Sequence, residues 1–171
     1  YIPNGNYSVA GSLILSGCHY IEGQGDYSVL KFAGAGNGMV YNFVSNSKYD
    51  DHAKRSIKNL RIEGDYIAAS NTAGTTIGLN VSGTGHAGEV HGVTFSGHAT
   101  GYYLSQNYTS RGCYNMYRRN KVGLHLNAVT SYIEESIYAR YNSEAAVLIT
   151  GGVQNISFLS GAIEGNVSAR G

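Results

Sequence analysis

One short phrase recurs along this chain at an almost constant step, and the step limits what the chain can fold into. Gly101-Tyr102-Tyr103-Leu104, Gly123-Leu124-His125-Leu126 and Ala145-Ala146-Val147-Leu148 follow one another 22 residues apart. Gly78-Leu79-Asn80-Val81 stands 23 residues before the first of them. A short strand repeated every 20-odd residues is the mark of a solenoid, in which each turn contacts only its neighbours. Side chains alternate across a strand. The repeat therefore predicts one inward column of Leu79, Tyr102, Leu124 and Ala146 and a second of Val81, Leu104, Leu126 and Leu148. Between them runs an outward column of Asn80, Tyr103, His125 and Val147. A polar thread runs alongside. Asn120, Asn142 and Asn166 recur before successive strands, and Asn both tolerates left-handed bends and bonds the turns above and below. The predicted fold is all-β: a single-stranded, right-handed parallel β-helix with coils of about 22 residues.

Composition agrees. The 24 Gly and single Pro in 171 residues suit strands joined by tight bends better than helices. An apolar share of 42% supplies a core, and no apolar run approaches a membrane span. A net charge of +1 argues for neither nucleic acid nor an anionic membrane as partner. Fifteen Tyr and no Trp give flat apolar faces that carry hydroxyls, suited to sugars and to strands alike. Cys18 and Cys113 lack metal-ligand spacing and read as free, buried thiols. The first residues are not those of a signal peptide. The sequons at Asn6, Asn80, Asn107, Asn155 and Asn166 read as by-products of a chain rich in Asn, Ser and Thr.

At the start, Ile2-Pro3-Asn4-Gly5-Asn6-Tyr7 leads into a strand, and Glu22-Gly23-Gln24-Gly25 follows. This order resembles the opening coils of the pectate-lyase-like β-helix superfamily, which includes phage tailspikes and related polysaccharide-degrading enzymes. Ile163-Glu164-Gly165-Asn166 is similar to a phrase of tailspike coils. The resemblance implies a bacterial surface polysaccharide (capsule, O-antigen or exopolysaccharide) as ligand and endoglycosidase activity. It also implies a homotrimer, and a location on a virion tail or outside the cell. Family members usually place an amphipathic capping helix before the first coil. This sequence begins at a coil and ends just after a strand-like Val167-Ser168-Ala169-Arg170, which predicts a fragment of a longer β-helix or ends covered by other subunits.

Residues 1–171 read as one domain with two corner loops, near 45–56 and 65–76, where the period breaks. Leu60 and Ile62 should face inward, with Arg61 and Glu63 outward. Gly83-Thr84-Gly85-His86-Ala87-Gly88 satisfies G-x-G-x-x-G, but a strand pattern follows it where phosphate binding needs a helix, so it reads as a glycine corner. His86, His91 and His98 have no partner at metal-ligand spacing. His98 falls in the slot that Asn120 fills one turn later. His125 stands outward beside Tyr103, as decoration or as a ligand contact.

Cleaving a glycosidic bond usually takes two carboxyl groups, an acid and a nucleophile or base. Rungs lie about 4.8 Å apart, so carboxylates on neighbouring rungs can approach such separations. Glu134 and Glu135 point to opposite sides of one strand. Glu164 comes one turn later, and aligning Asn142 with Asn166 stacks it on Arg140 as a cross-rung ion pair. If the segment hydrolyses a glycan, the acid is expected from Glu134 or Glu135 and its partner from Glu164. Arg140, Tyr138, Tyr103 and His125 are the expected substrate contacts. Glu89 is set aside as part of the glycine bend. Polysaccharide lyase chemistry, the superfamily's other activity, resembles a calcium mechanism, yet the chain has no Asp after Asp65 to supply hard oxygen ligands. The expectation therefore includes no metal and no cofactor. The competing expectation is a non-catalytic structural or adhesive module of a tail fibre or adhesin.

Overall fold

A computed structural model describes residues 1–15, 20–34, 36–42, 55–66 and 75–166, without the side chains of Asn42, Thr75, residues 84–87 and Tyr108. The chain is a parallel β-solenoid of about six turns, spaced about 23 residues apart, with three faces. The first face is a seven-stranded sheet of β1 (Gly5–Ala10), β4 (Ser28–Ala33), β7 (Arg61–Glu63), β9 (Thr94–Ser96), β11 (Met116–Arg118), β14 (Ile137–Arg140) and β17 (Gly161–Glu164). The second stacks β2 (Leu13–Leu15), β5 (Gly36–Asn42), the opening of β8 (Thr75–His91), the opening of β10 (Thr100–Cys113), β12 (Val122–Asn127) and β15 (Ala145–Thr150). The third stacks β3 (Tyr20–Glu22), β6 (Ser56–Lys58), the ends of β8 and β10, β13 (Ser131–Glu135) and β16 (Ile156–Phe158). β10 bends between its two faces through register shifts from Ser105 to Ser110, with Gln106 at φ 56°. No helix follows Gly83–Gly88, as expected, but the run lies within β8 where a separate bend was expected.

The inward columns follow the sequence repeat for most of their length. Leu79, Tyr102 and Leu124 lie in register, as do Val81, Leu104 and Leu126, and all six are buried. On the first face Leu30, Ile62, Phe95, Tyr117 and Ala139 continue the bore, with Phe95 stacked on Tyr117 at 5.4 Å. Leu60 and Ile62 are inward as expected.

The last repeat departs from expectation by one residue. Leu124 pairs with Val147, not Ala146, and Leu148 pairs with His125 in the outward column. Leu148 is therefore not a bore residue; Ile149 takes that place. The cause is local. The amides of Glu144 and Ala145 both donate to Lys121 O, so the corner absorbs an extra residue before β15 begins.

The Asn thread is a ladder inside the corner between the first and second faces. Asn120 Oδ1 accepts from His98 N (3.0 Å), and Asn120 Nδ2 donates to Phe95 O (3.1 Å) and to Asn142 Oδ1 (3.2 Å). Asn142 and Asn166 repeat the pattern, donating to Tyr117 O and Ala139 O. His98 fills the preceding rung, its Nε2 3.1 Å from Ile62 O. It is fully buried, and that burial lowers its pKa to about 4. Cys113 is free and buried, as expected. Cys18, His86's side chain, most of both corner loops and residues 167–171 lie outside the described set.

Candidate functional site

The seven residues singled out by sequence fall on three faces and in the interior. Glu164 and Arg140 are on the first face, in register and 3.0 Å apart, as the alternative ion-pair reading foresaw. Tyr138 is outward on the same strand and exposed. Tyr103 and His125 meet edge-to-face on the second face, ring centroids 4.9 Å apart. There His125 Nε2 lies 2.8 Å from Thr150 Oγ1, and Asn127 Nδ2 donates to Tyr103 Oη at 2.9 Å. Partial burial lowers the His125 pKa. Glu135 is outward on the third face, so the fold does not bring it next to Glu164.

Glu134 corrects the expectation of an outward carboxylate, because it is wholly buried. Parity decides this: Val90, Gly112 and Glu134 form one column, and its neighbours Glu89, Arg111 and Ile133 point out. Inside, Glu134 accepts from Asn115 Nδ2 (3.0 Å), Tyr117 Oη (3.1 Å) and Tyr132 Oη. A Cβ at Gly112 would overlap its carboxyl group, so glycine on the rung before makes the space. Burial raises the Glu134 pKa to about 7, against the pull of those three donors. It is a neutral-leaning acid with no exposed surface.

Among the described residues, the third face carries a surface site formed by two charged columns. Lys58, His91, Cys113 and Glu135 make one column, and Ser56, Glu89, Arg111 and Ile133 make the next. Lys58 Nζ is 2.7 Å from Glu89 Oε2, and Arg111 Nη2 is 2.7 Å from Glu135 Oε1. The Cys113 thiol donates to Glu135 at 3.6 Å, and its pKa is raised by burial and by that carboxylate. Lys58 holds the Glu89 carboxyl below its ordinary pKa. Tyr20 lies under the Lys58 ammonium at 5.7 Å, and Tyr114 stands 5.7 Å from the His91 ring. A cavity of about 480 Å³ opens between the rungs, lined by Gly88, Glu89, Thr109, Ser110, Arg111, Ser131 and Ile133. Sequence reasoning missed Glu89 because the glycine run before it read as a bend; it belongs to β8. The 22-residue step from Glu89 to Arg111 was the available signal.

Among the described residues no group of three or more His, Cys, Asp or Glu could hold a metal ion. The chain matches no family model, no curated protein and no solved structure.

Proposed function

We propose that this β-helix is a polysaccharide-binding module whose ligand lies across the third face. The observation that carries this is the cavity there, where hydroxyls of Thr109 and Ser131, the apolar Ile133 and the charged Glu89 and Arg111 line one concave strip. Sugars need that mixture: hydrogen-bond partners for their hydroxyls and an apolar patch for their ring faces. The Arg111–Glu135 pair is exposed and screened by solvent, so its members exchange readily for ligand hydroxyls. The resemblance to tailspike-type β-helices supports a bacterial surface polysaccharide as ligand, a homotrimer as the assembly, and an extracellular or virion-tail location.

Endoglycosidase activity is the second reading. Glu89 and Glu135, on either side of Arg111, favour it as carboxylates reaching one surface. Against it, Lys58 favours the charged form of Glu89, which suits a base or nucleophile and not an acid. Incubation with capsular and O-antigen polysaccharides tests both readings. Binding is expected, with ligand length unchanged, and Arg111→Gln or Ile133→Asp should abolish it. Shortened products lost in Glu89→Gln and Glu135→Gln would establish hydrolysis; products with unsaturated-sugar absorbance would establish a lyase. Binding that survives changes at Arg111, Ile133 and Glu89 would remove the site from this face.

A further inference from the structure

The charged column on the first face is balanced along most of its length and unbalanced at one place. Lys31, Glu63, Ser96, Arg118, Arg140 and Glu164 follow one another in register. Lys31 and Arg61 both pair with Glu63, and Arg140 pairs with Glu164. Arg118 stands between Ser96 and Arg140, so two guanidinium groups occupy adjacent rungs, an arrangement that costs stability by itself. Arg119 joins them from the corner, in a left-handed conformation (φ 55°) fixed by its own N–H donating to Arg140 O. Neither Arg118 nor Arg119 has an acidic partner among the described residues. Among the described residues, three guanidinium groups thus stand against one carboxylate, Glu164 on Arg140, in a chain whose net charge is only +1.

These side chains enclose a cleft of about 220 Å³ with Met116 and Tyr141. The Arg140 guanidinium lies over the Tyr141 ring at 5.5 Å. That stack, with the Glu164 contact, orients its planar fork. Guanidinium forks match the paired oxygens of carboxylate, sulfate and phosphate, and Met116 and Tyr141 add an apolar wall.

We infer that Arg118, Arg119 and Arg140 form a binding site for an oxyanion group, separate from the cavity on the third face. Two sources share this chemistry: the acidic substituent of a glycan, and a free inorganic anion. The cleft is concave and sized for one such group, which favours it over a contact with another protein chain.

Titration calorimetry of the full chain at low salt tests this, with inorganic sulfate, a uronic acid trimer and a neutral trisaccharide as probes. Sulfate, the uronate or both should bind, and the neutral sugar should not bind in the cleft. Uronate binding much tighter than sulfate identifies a glycan substituent; similar affinities identify a free-anion site. Arg118→Gln and Arg119→Gln should each weaken binding roughly tenfold, as expected for loss of a charge-assisted contact. Glu164→Gln should tighten it, because the competing carboxylate on Arg140 is removed. Each variant should melt within a few degrees of the unsubstituted chain, since Arg118 and Arg119 hold no ion pair among the described residues and the Arg140–Glu164 pair is exposed. Failure of both anions to bind, or binding indifferent to both Arg variants, overturns the assignment. So does Glu164→Gln weakening the anion, or Arg118→Gln abolishing self-association without affecting anions.

Discussion

Two buried titratable side chains, Glu134 and His98, prefer their neutral forms and pull stability in opposite directions as pH changes. Glu134 keeps its proton up to about pH 7, whereas an unfolded Glu releases it near 4.5. The folded state then binds the extra proton, so its stability falls as pH rises through that window, by about 3 kcal/mol in all. His98 has its pKa lowered to about 4 from 6.5, so the unfolded chain binds the extra proton. Its contribution, of similar size, is lost as pH falls from 6.5 towards 4. Between about pH 4.5 and 6.5 the two slopes nearly cancel, with His125 adding a smaller contribution of the same sign as His98. Urea unfolding should therefore give a shallow pH profile for the chain as it stands. Glu134→Gln should expose the His98 slope, and stability should then drop on acidification. His98→Asn, which suits the ladder, should expose the Glu134 slope, and stability should then rise. Parallel profiles for all three proteins would show that Glu134 is not held neutral. The neighbouring Tyr102, Tyr117 and Tyr132 hydroxyls have their pKa values raised by burial, so they remain donors throughout this range.

At the scale of strands and corners, the Asn ladder shows what a sequence period can and cannot reveal. The recurrence of Asn120, Asn142 and Asn166 announced a stacked corner, and His98 was placed in it by the same step. Asn115 supports a second corner, accepting from Val93 N and donating to Val90 O and Glu134, but its neighbours one turn away do not repeat it. The bore on the second face was legible because leucines recur there. The interior of the third face was not, because Gly112 and Glu134 occupy a column that a hydrophobic pattern would skip. For the candidate sites, the Arg140–Glu164 pair followed from the register of the ladder, whereas Glu89 lay behind a glycine run that hid its strand, and Arg111 was legible only through its 22-residue step from Glu89. The ladder also has a definite energetic consequence. Asn120→Ala would leave His98 N–H buried without its partner, at roughly 1–3 kcal/mol, and would take a side-chain donor from Phe95 O. Asn166→Ala, at a less buried rung, should cost less. A comparison of urea midpoints decides it, and equal losses at both positions would mean the ladder is not organised by burial.

In the molecule as a whole, every coil is covered only by the coils above and below it, so stability should vary along the axis. The central rungs are sealed: Leu79, Leu104, Leu124 and Leu126 have no exposed surface. Columns that are closed there open in the last described coil, where Ile149 is 48% exposed, Phe158 40% and Ile163 59%. Burial of apolar surface is the main force holding one coil to the next, at roughly 25 cal/mol per Å². The last coil therefore has much less to lose on opening. Hydrogen exchange reads this directly, because local openings have free energies from near zero up to that of global unfolding. Amides of Tyr102–Leu104 and Leu124–Leu126 should exchange slowest. Those of Ile156–Phe158 and Gly161–Glu164 should exchange roughly a hundredfold faster or more, a gap of about 3 kcal/mol. Leu126→Ala removes a bore side chain at a cost of roughly 2–5 kcal/mol. In a nearest-neighbour solenoid it should accelerate exchange in β10, β12 and β15 before it affects β1 or β4. Uniform exchange along the whole chain, or an effect of Leu126→Ala felt equally in β1 and β15, would mean that the coils unfold as one cooperative block.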